Sequence, residues 1–321
     1  MEKSDFRELF MPADILLPAG CDMTKWSVVA CDQHTSEPEY WERVDNFVGG
    51  APSTLKMMLP EHTYKEPNIE ELILSTKLTM ARYEADGIFK VYENSYIYVE
   101  RELYNGKLRR GIVGAIDLEC YDYADKVKCA VRATEETVVE KLPIRIKLRE
   151  DAPIELTHVL VLVDDPDRTL IEPLSDEKHR MQKLYDFELM EKGGRIAGYR
   201  ITGGLIEKVK DAVAALADFR RFNEHYGLEN EPVMVFATGD GNHSLATAKS
   251  CWEKLKPTLS EEERKTHPAR YALVEIVNIR DSALEFQPIN RVVFDVDPEE
   301  MIGAMLDFFP DSHLGPGGDH E

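Results

Sequence analysis

The stretch SYIYVERELYNGKLRRGIVGAIDL, residues 95–118, limits the architecture more than any other part of the chain. Two alternating, β-prone runs flank Asn105-Gly106, a dipeptide that accepts the positive φ angles of a two-residue hairpin turn. Such a hairpin places antiparallel strands in the sheet. KLYDFELMEKGGRIAGYRIT, residues 183–202, predicts a second hairpin around Gly193-Gly194. Later segments alternate differently: strand VMVFA (233–237), helix SLATAKSCWEKLK (244–256), strand YALVEIVNI (271–279) and a run around NRVVFDV. THVLVLVDD (157–165) is a further strand. Hairpins early and β–α–β late exclude a doubly wound parallel sheet. They predict an α+β fold, a mixed sheet with antiparallel hairpins and flanking helices.

Near the N-terminus, WSVVA (26–30) reads as a short buried strand. Ser36 and Glu39 have capping-box spacing and Pro38 suits a first turn, so a helix is expected over about 37–48, stopped by Gly49. Asn68 and Glu71 start a second helix that ends at Gly87. Leu205, Val209, Val213, Leu216, Phe219 and Phe222 form one helical stripe that stops at Gly227. A helix is expected at 298–307, followed by the polar tail 311–321, expected to be flexible. No repeat or linker divides residues 1–310, which read as a single unit.

The chain's 321 residues carry a net charge of −21. That charge repels nucleic-acid backbones and makes nucleic acid an unlikely partner. No apolar run is long enough to cross a bilayer, and MEKSDFRELF has no signal-peptide core. Five scattered cysteines suit reduced thiols, so a cytoplasmic, non-membrane protein is expected.

Within the late β–α–β unit lies ATGDGNHSLATAK, residues 237–249. A strand, a Gly bend and a helix leave the first helical N–H groups pointing outward, where partial positive charge attracts phosphate or carboxylate. Gly239 and Gly241 permit close backbone approach and positive φ. Asn242, His243 and Ser244 add polar side chains, and Asp240 can orient a neighbour, bind a metal or accept a proton. The same residues make ordinary caps, so the pattern alone leaves a structural bend and an anion site both open. Asp32 and His34 follow the WSVVA run. Arg132, Glu135 and Thr137 precede KLPIRIKLRE, in which Arg145, Lys147 and Arg149 would share one face of a strand. Arg291 stands at a strand entrance.

Taken together and in order, these segments resemble the bacterial and archaeal family known as domain of unknown function 1015. Its late signature D-G-H-H-R stands here as Asp240-Gly241-Asn242-His243-Ser244, and its H-E-x-T as Thr134-Glu135-Glu136-Thr137. Its P-x-H-R stands as Pro288-Ile289-Asn290-Arg291, and its early P-Y-D as Ala30-Cys31-Asp32. Histidines are replaced by Thr134, Asn242 and Asn290, and an arginine by Ser244, while acids and glycines remain.

The resemblance implies a ParB/sulfiredoxin-like core, with a hairpin-and-helix insertion at about 65–228. Family members tend to be longer, so the chain is expected to lack a C-terminal segment. The implied activity is a Mg²⁺-assisted phosphotransferase that turns free L-serine into O-phospho-L-serine, with pyrophosphate or a nucleotide as donor. Asp32, Glu135, Asp240 and His243 are then the catalytic candidates, with Asp240 or Glu135 as metal ligands. Gly239, Gly241, Asn242, Ser244, Arg132, Arg145, Arg149 and Arg291 are candidates for holding phosphate. A non-catalytic nucleotide- or metabolite-binding module and a phosphohydrolase are the alternatives that the same residues allow.

Overall fold

Both expected hairpins form, the second turning at Glu191-Lys192 rather than at Gly193-Gly194. The structure, a computed structural model, describes residues 5–124, 127–135, 137, 142–156, 159–285, 293–313 and 315. In chain order the first elements are β1 (Phe10–Met11), β2 (Ala13–Pro18), α1 (Met23–Trp26), α2 (Pro38–Val48) and α3 (Ile69–Ala85). The first hairpin follows as β3 (Phe89–Glu102) and β4 (Leu108–Asp117), with Gly106 at φ +76° in its turn. Then come β5 (Tyr121–Asp122), β6 (Val131–Arg132), α4 (Leu142–Arg149) and β7 (Leu160–Val163). The second hairpin is β8 (Gln182–Glu188) with β9 (Arg195–Ile201). After it lie α5 (Gly204–Leu216), α6 (Phe219–Tyr226), β10 (Phe236–Asp240), α7 (Asn242–Leu255), α8 (Glu261–Thr266), β11 (Tyr271–Asn278) and α9 (Pro298–Phe308).

Among the described residues the strands form one mixed sheet in the order β5-β6-β10-β7-β11-β4-β3-β9-β8, with β1 beside β4 and β2 beside β3. The pairs β5/β6, β6/β10 and β7/β11 are parallel, and the others are antiparallel. The α+β expectation therefore holds. One sheet face buries Tyr96, Ile112, Val161, Phe236 and Ile276 against Val209 and Val213 of α5 and Leu245 and Trp252 of α7. The other packs Ile97 and Val99 under Ile15 of β2. A separate cluster joins Trp26, Met57, Met80, Tyr83 and Ile154.

Several local expectations are corrected. Residues 26–30 are not a strand: Asp22 caps α1 through Trp26, and residues 27–30 are irregular. Their backbone is satisfied from the side, since the Trp26 carbonyl accepts from Thr54 Oγ1 at 2.8 Å, which in turn accepts from the Val28 N–H at 3.2 Å. The capping boxes expected at Ser36 and Asn68 do not form; Glu37 and Asn68 are the N-caps and make no side-chain capping bond. The long stripe before Gly227 is broken at Ala217, where Asp218 caps a new helix and leaves Phe219 exposed. The strand expected at 233–237 lies three residues later, running into the bend. The basic stripe is the helix α4 rather than a strand, so Arg145 and Arg149 share a face one turn apart while Lys147 turns to Glu70. Residues 290–292 of the NRVVFDV run lie outside the described residues.

The chain divides after Leu284 into two compact units. The second contains α9, whose Asp297 cap accepts the N–H groups of Glu299 and Glu300 at 2.8 and 3.1 Å. Among the described residues no helix is long and apolar enough to cross a membrane.

The first unit carries a buried fork-to-fork ion pair between the end of β4 and the start of β11. Arg270 Nε and Nη2 donate to Asp117 Oδ1 and Oδ2 at 2.9 and 2.6 Å, and the Asp117 side chain is 5% exposed. Removing one partner strands a buried charge. Arg270→Ala is expected to cost about 3 kcal/mol in urea unfolding. Adding Asp117→Asn should recover part of it, because the amide oxygen still accepts the Glu119 N–H.

A candidate anion site at the start of α7

Two glycines shape the entry to α7. At Gly239 the β10/β7 register breaks, and a Cβ there would stand 2.8 Å from Leu162 Cγ. Gly241 is the N-cap, at φ +80°, and has no side chain with which to cap the helix behind it. Asp240 Oδ1 instead accepts the Gly241 N–H at 2.8 Å, shaping the turn from outside. The loop after β6 is tied to this corner: Thr134 Oγ1 donates to the Thr238 carbonyl at 2.6 Å, and Thr238 Oγ1 to the Arg132 carbonyl at 3.3 Å. Glu135 thereby reaches Asn242, whose Nδ2 donates to Glu135 Oε1 at 3.1 Å. Asn242 is 3% exposed, and its Oδ1 is buried without a hydrogen-bond partner.

Helix α4 packs against α7 and brings in Arg145, 6% exposed, whose Nη1 donates to Ser244 Oγ at 3.0 Å. Its Nη2 lies 3.6 Å from both Asp32 Oδ2 and Glu61 Oε2, distances of charge attraction rather than hydrogen bonding. The Tyr64 ring lies 5.8 Å from the guanidinium carbon. Glu61 is held beside Asp32 because its N–H donates to the Cys31 carbonyl at 2.7 Å. Two buried polar atoms here have no hydrogen-bond partner: Arg145 Nε, a donor, and Asp32 Oδ1, an acceptor. Burial of this kind is costly unless the atoms are used.

The electrostatics follow from that crowding. Burial works against the Arg145 charge, but the fields of Tyr64, Cys31, Asp32 and Glu61 outweigh it and raise its pKa above the ordinary value. Burial raises the Tyr64 phenol and pushes the Cys31 thiol up to about 11, against the pull of Arg145. Arg145 thus stays charged, and Cys31 is a protonated thiol rather than a nucleophile.

Of the sequence candidates, Asp32, Glu135, Arg145, Asn242 and Ser244 are joined around the α7 N-terminus. Gly239 and Asp240 are exposed at the bend, and His243 is partly buried between Asn242 and Ser244. Arg132 is turned to backbone, with Nε and Nη2 donating to the carbonyls of Cys129 and Pro232 at 2.8 Å each. Arg149 pairs with Glu155 at 2.8 Å. Arg291 lies outside the described residues. Glu61 and Tyr64 were not anticipated; they sit on a 3₁₀ turn after Pro60, in a stretch without periodicity.

No group of three or more His, Cys, Asp or Glu placed to hold a metal occurs among the described residues. Asp32 and Glu61 are nevertheless the hard oxygen donors of which Mg²⁺ takes one or two when a phosphate supplies the rest. Arg145 and Ser244 also line an open cavity of about 940 Å³ bordered by residues of α4, α7 and the segments around residues 28–31, 54–64, 150–156 and 267–269.

Fold and site together define an α+β protein with a buried arginine at the N-terminus of a helix capped by glycine. A family described as "Protein of unknown function (DUF1015)" matches residues 17–313, and the chain belongs to that family. Neither a curated protein nor a solved structure matches it.

The Cys31 shift sets a measurable pH response. With a folded pKa of about 11 against a reference of 9.0, the folded state holds this proton longer than the unfolded chain. The resulting stability is complete below the unfolded value and is lost as pH rises through the folded one. Cys31→Ala is expected to flatten the decline in stability between those pH values in urea unfolding. In the wild type Cys31 should alkylate about a hundredfold more slowly at pH 8 than an unburied thiol.

Proposed function

We propose that this protein is a phosphotransferase that carries a phosphoryl group from pyrophosphate or a nucleotide to free L-serine, giving O-phospho-L-serine. The observation that carries the reading is the buried Arg145, held between Ser244 at the α7 N-terminus and the carboxylates of Asp32 and Glu61. Phosphoryl transfer asks mainly for positioning and charge stabilisation, and this corner has the parts for both. The serine acceptor and a ParB/sulfiredoxin-like core come from the resemblance of Asp240–Ser244 and Thr134–Thr137 to the family's signatures.

In this reading the donor's terminal phosphate lies against Arg145, Ser244 and the first-turn amides of α7. Asp32 Oδ1, the buried acceptor without a partner, receives the serine hydroxyl proton. The serine oxygen forms its bond to phosphorus as the bond to the bridging oxygen breaks, and the leaving phosphate or nucleotide takes that electron pair. Asn242 and Glu135 hold the turn that presents the amides. The donor's phosphates bring further negative charge to a corner that already holds the Asp32 and Glu61 carboxylates. Mg²⁺ beside Glu61 and the donor oxygens would supply the neutralising charge.

The direct test incubates the purified protein with Mg²⁺, L-serine and pyrophosphate or a nucleotide and measures phosphoserine. Product is expected with at least one donor. Asp32→Asn should lower kcat by about 10²–10⁴. Arg145→Lys should also lose most activity, since a point charge does not replace the planar fork. Folded protein that makes no phosphoserine with any donor would remove the proposal. Phosphate release independent of serine would indicate a hydrolase at the same corner.

A further inference from the structure

The cavity beside Arg145 is shaped for more than an inorganic anion. On α7 its lining begins at Ser244 and continues through Thr247 and Cys251 to Leu255. At 1.5 Å per residue that run is about 16 Å long. On α4 the lining begins at Arg145, so Arg145 and Ser244 together form one end of an elongated space.

The character of the wall changes along it. At the Arg145 end the lining carries the Arg145 guanidinium, the Ser244 hydroxyl and the Tyr64 phenol. Beyond it the wall is built largely by Val29, Met57, Met58, Leu148, Ile154 and Leu156. Of the other charged groups in the lining, Arg149 is matched by Glu155 and Lys254 by Glu150, while Asp151 and His267 also line the space. The space therefore has a polar head and a mostly apolar body. Its volume, about 940 Å³, falls in the range of about 300–1,000 Å³ that suits a drug-sized ligand. Pyrophosphate and serine have no apolar surface to set against such a wall.

We infer that the cavity takes a phosphate ester or anhydride carrying a bulky, uncharged body, with the phosphate at Arg145 and Ser244 and the body along α7 toward Leu255. This inference rests on the anion site of the proposed function and names the class of its organic-phosphate ligand. A nucleotide and an alkyl phosphate share that chemistry. Methionines, which line the wall at Met57, Met58 and Met80, adapt to either shape.

Calorimetric titration of the full chain in Mg²⁺ with pyrophosphate, ADP and octyl phosphate tests it. At least one organic phosphate should bind about tenfold or more tightly than pyrophosphate. ADP ahead marks a nucleotide site, and octyl phosphate ahead marks a lipid-like one. In Met58→Glu and, separately, Leu156→Glu, that advantage should vanish while the pyrophosphate Kd stays within about twofold. The pyrophosphate titration also shows that each variant is folded. Pyrophosphate binding as tightly as both organic phosphates would overturn the inference and leave the anion site standing. Binding of none of the three would overturn both.

Discussion

A single buried guanidinium organises this protein's candidate site. Arg145 can remain charged at 6% exposure only because three distant parts of the chain come to it: Asp32 after α1, Glu61 on its 3₁₀ turn, and Ser244 at the start of α7. A buried cation without such partners would cost several kcal/mol. The arrangement is still incomplete in hydrogen bonds, since Arg145 Nε and Asp32 Oδ1 lack partners. One wants an acceptor and the other a donor, which is what a phosphate oxygen and a hydroxyl supply.

The mixed sheet explains how those parts meet. Strands β5, β6 and β10 run parallel, so the carboxyl ends of β6 and β10 lie together and lead to Thr134 and Glu135 and to the Gly241 bend. Ligands of open α/β sheets commonly gather at such ends. The remainder, antiparallel except for β7/β11 and anchored by the Asp117–Arg270 pair between β4 and β11, forms the larger part of the sheet on which α5 and α7 pack. Chain-wide acidity then matters locally. In a chain of net charge −21, Arg145 beside the α7 N-terminus is a buried cation where the proposed anion would lie.

Much of this was legible in the residues. Gly106 supplies the positive φ of the first hairpin turn, whereas the second turns on Glu191 and Lys192, both at positive φ. Gly194 serves the close approach to the Glu102 carbonyl, and the Gly241 bend follows from a strand run meeting a helix run. The α4 segment was misread because IRIKLRE satisfies both periods: alternation puts three cations on one strand face, while helical spacing separates Lys147 from Arg145 and Arg149. Pro143, which suits a first helical turn, was the overlooked signal. The Trp26–Ala30 run looked like a strand because it is apolar, yet its polar backbone is satisfied by Thr54, a contact that no local pattern encodes. Glu61 and Tyr64 join the site only through tertiary approach to Arg145. Arg132 and Arg149 show the converse: residues of the right type whose charge is already engaged by nearby carbonyls or Glu155.

The central claim is that Arg145 and the first turn of α7 grip an oxyanion. A crystal structure of the protein soaked with pyrophosphate and Mg²⁺ tests it most directly. The predicted result is phosphate density within hydrogen-bond reach of the Arg145 guanidinium, Ser244 Oγ and an α7 first-turn amide. Phosphate bound only elsewhere, with Arg145 still engaged solely by Asp32, Glu61 and Ser244, would contradict it.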